Sequence, residues 1–552
     1  MRPRLPIRRI PLLRPFRPPN SPTLRPFTRN TLARPNLPYL SDSSRRPTAR
    51  FLTIETKQWL KSEVKKGMKY TAYIYTFVFL GLIITFGVYQ ETFERQYHPP
   101  PEWGWYTRYH WKMAMHAEDP ENETQAFVDY ANTGSIYKLL IERLEDPNNE
   151  GAGLQEQGEG GILVDGVGRT GFDISNKSES WRRGYYGALM GAARAAEHLD
   201  DCVKDCQRML VFPKSVVPGP SNPHPRPIPP GAATPSREED CEKAFEPPEI
   251  YYMRILTTKG FTEKQRVDTA LAYGAWLDFK GTHNTALEMY KWAMEIATSS
   301  STSTKPVIDT SIWTIDPNAG PPSANVLSVA TAIAVHHALC SNLALALPIF
   351  ISILRSRRSL PDAPSNLEYE RAPDDGDNSI AKTIVSLIRT IFVVPPYPPP
   401  PPDGTEPPQR TPQELCEEAG VMTNIGEILF ASKSSKTSKE DGLAWTREAV
   451  DIAEEQLRTK RADKDAKTTC RQCLNVAIGN WDAMVTRLAK EEREAKAQGG
   501  KVGGWLGFGG EEQKDMAGRW ESEENVVRDR RRRSIELLED KPAPRWTSIL
   551  SV

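Results

Sequence analysis

Residues 267–297 read VDTALAYGAWLDFKGTHNTALEMYKWAMEIA. Apolar residues recur at three- and four-residue spacing on both sides of the turn Lys280-Gly281-Thr282-His283, which predicts two helices folded back on each other. The small residues fall where such helices must touch. Gly274 and Ala286 have almost no side chain, so the two axes can approach closely. Leu277 and Tyr290 fill the space beside that contact, and Ala293 leaves room for the helix that comes next. One hairpin cannot bury both of its apolar faces, so the pattern calls for neighbours.

Gly274, Leu277, Gly281, Ala286, Tyr290 and Ala293 occupy the small and large positions of a tetratricopeptide unit, a helix–turn–helix of about 34 residues. Residues 325–354 place Ala334, Ser341, Ala346, Phe350 and Ile353 at the same offsets. In ELCEEAGVMTNIGEILF (414–430), Ile425, Gly426 and Leu429 stand where Tyr273, Gly274 and Leu277 stand in the first hairpin. Its second helix is expected in LAWTREAVDIAEEQL, after a long loop over 431–442, and CRQCLNVAIGNWDAMVTRLAKEEREAK opens or caps a fourth unit. The fold expected is all-α: a helical-hairpin, tetratricopeptide-like array over residues 121–498. A generic helical bundle with small-residue contacts is the alternative.

Upstream the composition changes. Residues 1–69 hold 17 basic and 3 acidic side chains, leaving 54 basic against 68 acidic in the rest of a chain whose net charge is zero. The basic charge is thus an N-terminal feature, which argues against a nucleic-acid surface on the body. Residues 1–50 carry twelve Arg, no Lys, no Glu and only Asp42. That is the composition of a disordered mitochondrial presequence. A basic tail for nucleic acid or lipid shares it, and the prolines weaken a long amphipathic helix. After a basic segment, 51–69, residues 70–89 read YTAYIYTFVFLGLIITFGVY without a charge. A single transmembrane helix is expected over 70–90, since twenty residues at about 1.5 Å each span a hydrocarbon core of about 30 Å. Lys57, Lys61, Lys65, Lys66 and Lys69 precede it; Glu91, Glu94 and one Arg follow. The positive side stays inside, so the N-terminus is expected in the matrix and the body in the intermembrane space. Residues 325–354 come next in apolarity, but His336, His337, Asn342 and Pro348 interrupt them.

The segment 91–120 contains PPPEWGWYTRYHWKMAMHAEDP, whose Trp103, Trp105, Tyr109 and Trp111 suggest an interfacial belt or a partner-binding patch. Helices are expected at 135–146 and 181–210, with a hairpin between them in GILVDGVGRTGFDIS. Gly166, Gly168 and Gly171 match G-x-G-x-x-G there. FDISNKSES follows instead of the helix a dinucleotide site needs, so this is a turn. Two Pro-rich insertions, 212–235 and 393–412, are expected to be extended and solvated. Residues 499–552 read as a Gly-rich loop bearing Trp505, Leu506 and Phe508, then a helix whose Arg528 and Arg530–533 form a solvated, ion-paired face.

The search for catalysis finds no H-E-x-x-H, no phosphate-binding G-x-x-x-x-G-K-[ST] and no G-x-S-x-G in a strand–turn–helix setting. The eight His are scattered. Cys202/Cys206 and Cys470/Cys473 could supply four thiolates, but they lie far apart and in helical settings, so buried or free thiols are expected. No catalytic residue, cofactor or metal ligand is assigned.

An Arg-rich presequence, one membrane span, the EWGWYTRYHW segment and tetratricopeptide positions together resemble the fungal tetratricopeptide adaptor subunits of the mitochondrial inner-membrane i-AAA protease complex. The resemblance extends over roughly residues 55–485 in layout. It implies a non-enzymatic adaptor, with the protease, a second membrane-anchored adaptor and unfolded client proteins as partners and no nucleic acid. Asn424 sits where a first helix offers an amide to a bound peptide. Its equivalents are Ala272 and Ala332, so the polar clamp for an acidic C-terminus is largely missing and an apolar groove is expected. A scaffold or assembly factor for a respiratory or translocase complex, and an outer-membrane import receptor, fit the same features.

Overall fold

The computed structural model describes residues 54–119, 128–156, 171–299, 307–362 other than 318, 397–459 other than 433–435, 463–502 and 518–538. The presequence, the Gly166 and Gly168 turn, and Trp505, Leu506 and Phe508 lie outside them. The chain divides into two compact units, 1–84 and 85–552.

Ile54–Tyr97 forms one continuous helix, α1, so the basic segment and the apolar run share a single helix. Its stretch Ile54–Gly87 is long and apolar enough to cross a membrane, the one such helix among the described residues. The large apolar side chains from Tyr70 to Phe86 are all exposed. Such a surface is stable only in an apolar surround, which fits a membrane anchor.

The second unit is mostly helical. Its helices are α2 (Trp105–Glu118), α3 (Tyr130–Glu145), α4 (Glu179–Leu199), α5 (Pro248–Thr257), α6 (Glu263–Phe279) and α7 (His283–Ser299), followed by α8 (Ala324–Leu339), α9 (Leu343–Arg358), α10 (Pro412–Ala431), α11 (Lys436–Arg458), α12 (Lys464–Val502) and α13 (Arg519–Leu538). Each packs chiefly on its neighbours in sequence, and α10 also lies on α12. The helix starts are written in the sequence. Thr262 and Gln265 make a reciprocal capping box on α6, Ser323 accepts from Val326 N on α8, and Thr411 with Pro412 opens α10.

Helices α6 and α7 form the first hairpin. Tyr290 lies against Gly274, while Ala286 and Ala293 are fully enclosed. Its turn closes with Lys280 N donating to Trp276 O (3.0 Å), Gly281 N to Asp278 O (3.0 Å) and Thr282 N to Leu277 O (2.9 Å). Helices α8 and α9 repeat this bond for bond, shifted by 60 residues. Cys340 N donates to His336 O (3.0 Å), Ser341 N to Ala338 O (3.0 Å) and Asn342 N to His337 O (2.8 Å). Both turns pivot on a left-handed residue, Gly281 (φ 78°) and Ser341 (φ 62°), as this kind of helix C-terminus requires. In the third hairpin, a Cβ on Gly426 would stand 2.8 Å from Gly442 O, so α10 and α11 touch backbone to backbone.

Several expectations need correction. The helix expected over 181–210 ends at Leu199, and Cys202–Asp205 is strand β3, flanked by β4 (Val211–Pro213) and β5 (Cys241–Lys243). Asp200 and Asp201 put negative charge at the negative end of the helix, and Lys280 Nζ offsets them at 2.7 and 3.3 Å. The loop of 431–442 is much shorter, because α11 begins at Lys436. Helix α12 runs to Val502, past the expected boundary at 498. Phe172–Asp173 is a strand, β2, but its partner is β1 (Gln155–Glu156). Where described, the second Pro-rich insertion is not freely solvated. Arg183 donates to Pro398 O (2.7 Å) and Pro399 O (2.9 Å) and stacks on Tyr397, and Asp403 accepts from Lys264 N at the start of α6 (3.0 Å). The Arg run of α13 is only partly a solvated face. Arg530 binds Asp451 and Glu454 of α11, and Arg531 binds Asp482 of α12 (2.8 Å), clamping α13 onto both helices.

Candidate functional site

A groove of about 450 Å³ is lined chiefly by Ser328 and Thr331 of α8, Gly420, Val421 and Asn424 of α10, and Thr469, Gln472 and Val476 of α12, and it also takes in Cys416, Thr423, Cys473 and the ion pair of Arg357 (α9) with Glu417 (2.7 Å). Helices α8, α10 and α12 are the first helices of successive pairs, so one surface is built from three of them. The hydroxyls are already engaged. Thr331 donates to Leu327 O (2.7 Å), Ser328 to Ala324 O (3.0 Å) and Thr469 to Asp465 O (3.1 Å). These hydroxyls are satisfied within their own helices, but with Arg357 and Glu417 in its lining this is not the bare apolar groove expected from Ala272 and Ala332. No described residue hydrogen-bonds the side chain of Asn424 or of Gln472. Two amides on neighbouring helices thus keep donors and acceptors for a ligand, and a peptide backbone needs both. A Cβ on Gly420 would meet nothing within 4 Å, so that residue leaves the floor open.

The four aromatic residues after the span part company. Trp103 is 2% exposed and Trp111 is buried beside it, edge to face at 5.7 Å. They fit against the glycines of α4: a Cβ on Gly184 would come within 2.6 Å of Trp103, and one on Gly187 within 2.6 Å of Trp111. Both belong to the core, and neither is available to a bilayer or a partner. Trp105, 79% exposed, and Tyr109 remain outside. With Tyr106, Arg108, Lys112, Glu94 and Phe86 they line a second cavity of about 490 Å³. Arg108 pairs with Glu94 there, and burial lowers the pKa of Arg108 and Lys112.

Five cysteines are free thiols as expected, but two are not. Cys470 forms a disulfide with Cys416, joining α12 to α10, and Cys473 stays free. Burial pushes the Cys473 thiol up to about 12, which keeps it protonated and inert. Cys202 and Cys206 lie on and beside β3, and with Cys470 held in the disulfide these two pairs form no four-thiolate site.

Comparison with known proteins finds no matching family model, no matching curated protein and no matching solved structure. Residue spacing missed Gln472, which has no motif of its own, and Cys416, whose partner lies 54 residues away. It also passed over His283, His336 and Cys340, which the fold brings together. The i,i+4 relation of His336 and Cys340 on one helix face was the available signal.

Proposed function

We infer that this chain is a non-enzymatic protein-binding adaptor, with α1 as a single-pass anchor and the helical-hairpin body as the binding part. The observation that carries this reading is the groove across α8, α10 and α12. It combines two valines, hydroxyls satisfied within their own helices, the Arg357–Glu417 ion pair and the amides of Asn424 and Gln472, which no described residue hydrogen-bonds, a surface suited to an extended polypeptide with little sequence preference. The tetratricopeptide reading of the hairpins is supported by the turn of α6–α7 recurring in α8–α9 at an offset of 60 residues.

The placement proposed is the mitochondrial inner membrane, with the N-terminus in the matrix and the body in the intermembrane space. The Lys cluster before the span supports the orientation. The Cys416–Cys470 disulfide supports a compartment outside the reducing cytosol, and weighs against a cytosolic import receptor. The clients are unfolded segments of membrane or intermembrane-space proteins, presented to the i-AAA protease beside a second anchored adaptor.

The test is protease protection in mitochondria and mitoplasts, followed by crosslinking and purification from the same membranes. The reading expects the body to be cut only after the outer membrane is opened, and an AAA protease to co-purify. Cleavage in intact mitochondria contradicts the placement. A respiratory or translocase complex co-purifying without any protease replaces the adaptor role with a scaffold.

A further inference from the structure

Where the first two hairpins meet, four side chains converge: Asp278 in the last turn of α6, His283 at the start of α7, and His336 and Cys340 at the end of α8. Asp278 is 5% exposed in its side chain and His336 4%. One Asp278 oxygen takes a hydrogen bond from Nδ1 of His283 and from Nδ1 of His336, both at 2.9 Å, and its other oxygen accepts from Tyr290 OH at 3.0 Å. An ionised carboxylate only accepts, so both Nδ1 atoms carry the proton and both Nε2 atoms present a lone pair. This is the outer layer found behind metal-binding histidines, where a carboxylate fixes the tautomer and the ring direction.

The inner layer fits as well. His336 Nε2 lies 3.8 Å from Cys340 Sγ. A tetrahedral zinc ion with Zn–N of about 2.0–2.1 Å and Zn–S of about 2.3 Å sets that separation near 3.6 Å. A ring nitrogen of each of His283 and His336 and the Cys340 sulfur lie within 4.8 Å of one another. The His283 side chain is 46% exposed, which leaves an entry path and room for water as a fourth ligand. Two imidazoles and a thiolate suit a borderline metal ion and exclude magnesium or calcium. The second hairpin has Ala338 and Leu343 where the first has Asp278 and His283, so the grouping belongs to this junction and is no general feature of the turns.

We propose that His283, His336 and Cys340, backed by Asp278, form a binding site for a divalent transition-metal ion of the zinc class that staples the α6–α7 turn to the end of α8. Binding releases the Cys340 proton to solvent and forms two metal–nitrogen bonds and one metal–sulfur bond, with no redox change.

The test uses the full chain in detergent, stripped of metal and kept under mild reductant. Zn²⁺ is titrated against a chromophoric chelator, and Co²⁺ serves as the spectroscopic probe. One tight equivalent per chain is expected, with a thiolate-to-cobalt charge-transfer band and the intense visible absorption of a tetrahedral site. Cys340→Ser abolishes the charge-transfer band, and His283→Ala weakens Zn²⁺ binding at least about 10-fold. Asp278→Asn weakens it about 10- to 100-fold with the charge-transfer band retained. Zn²⁺ raises the melting temperature of the parent chain but not of His283→Ala. Binding unaltered in both Cys340→Ser and His283→Ala overturns the site, because the remaining cysteines then hold the metal. Absence of any tight equivalent in the parent chain overturns it too.

Discussion

The ring of Tyr290 occupies the space that a side chain on Gly274 would need: a Cβ there would lie 2.6 Å from Cε1 and 2.9 Å from Cζ. The ring cannot swing away freely, because its hydroxyl is held by Asp278 at 3.0 Å. Gly274→Ala is therefore expected to destabilise the body by about 1–3 kcal/mol through overpacking, despite a gain of about 1 kcal/mol in helix propensity. Gly420→Ala, with open space above it, keeps only the propensity gain. Denaturant midpoints of the two variants check this, and equal midpoints would show that the contact does not set the helix spacing.

The two equivalent turns predict opposite responses. Gly281→Ala places a Cβ at φ 78° and is expected to cost about 1 kcal/mol. Ser341→Gly relieves a non-glycine residue at φ 62° and is expected to gain about as much, less the entropy that glycine adds to the unfolded chain. Thermal melts of both variants read the signs. A loss of stability in Ser341→Gly would indicate that the serine conformation is held by something other than the turn.

The Cys416–Cys470 bond closes a separation of 54 residues, so the chain-entropy view assigns it about 4 kcal/mol. Non-reducing peptide mapping is expected to find Cys416 linked to Cys470, and alkylation of the native chain to label exposed Cys206 well before Cys473. A Cys470–Cys473 peptide would contradict the structure.

Glu414 gives a pH signature. Burial pushes it up to about 7; Arg357 opposes this and Glu417 adds to it. The folded chain binds this proton more tightly than the unfolded chain, whose value lies near 4.5. The contribution is complete below about pH 4.5 and is lost as pH rises through about 7. Glu414→Gln should therefore flatten the fall in stability across that window, by about 1–3 kcal/mol in total. An unchanged slope would mean that Arg357 keeps the carboxylate charged throughout.

Local chemistry made much of this fold readable. The uncharged run from Tyr70 to Tyr89 is read from its own residues, and the small positions Gly274, Ala286 and Gly426 meet partners on the adjacent helix of the same hairpin. What the sequence hid depends on distant partners. Trp103 and Trp111 read as interfacial because their spacing cannot reveal the glycine face of α4 that receives them. Cys470 read as a buried or free thiol because its partner, Cys416, lies on another helix. The groove was legible only at Asn424, since Gln472 and Gly420 matter through what stands, or does not stand, opposite them.

The central claim is that the groove across α8, α10 and α12 holds unfolded polypeptide. The most direct measurement is the affinity of the detergent-solubilised chain for a fluorescently labelled, permanently unfolded protein, compared with its Gly420→Leu variant. A Cβ at Gly420 meets nothing within 4 Å and leucine improves helix propensity, so stability should hold or rise. The account predicts binding by the parent chain and a loss of at least about tenfold in the variant, with smaller losses for Asn424→Ala and Gln472→Ala. Equal affinity in the parent chain and a stably folded Gly420→Leu variant would contradict it.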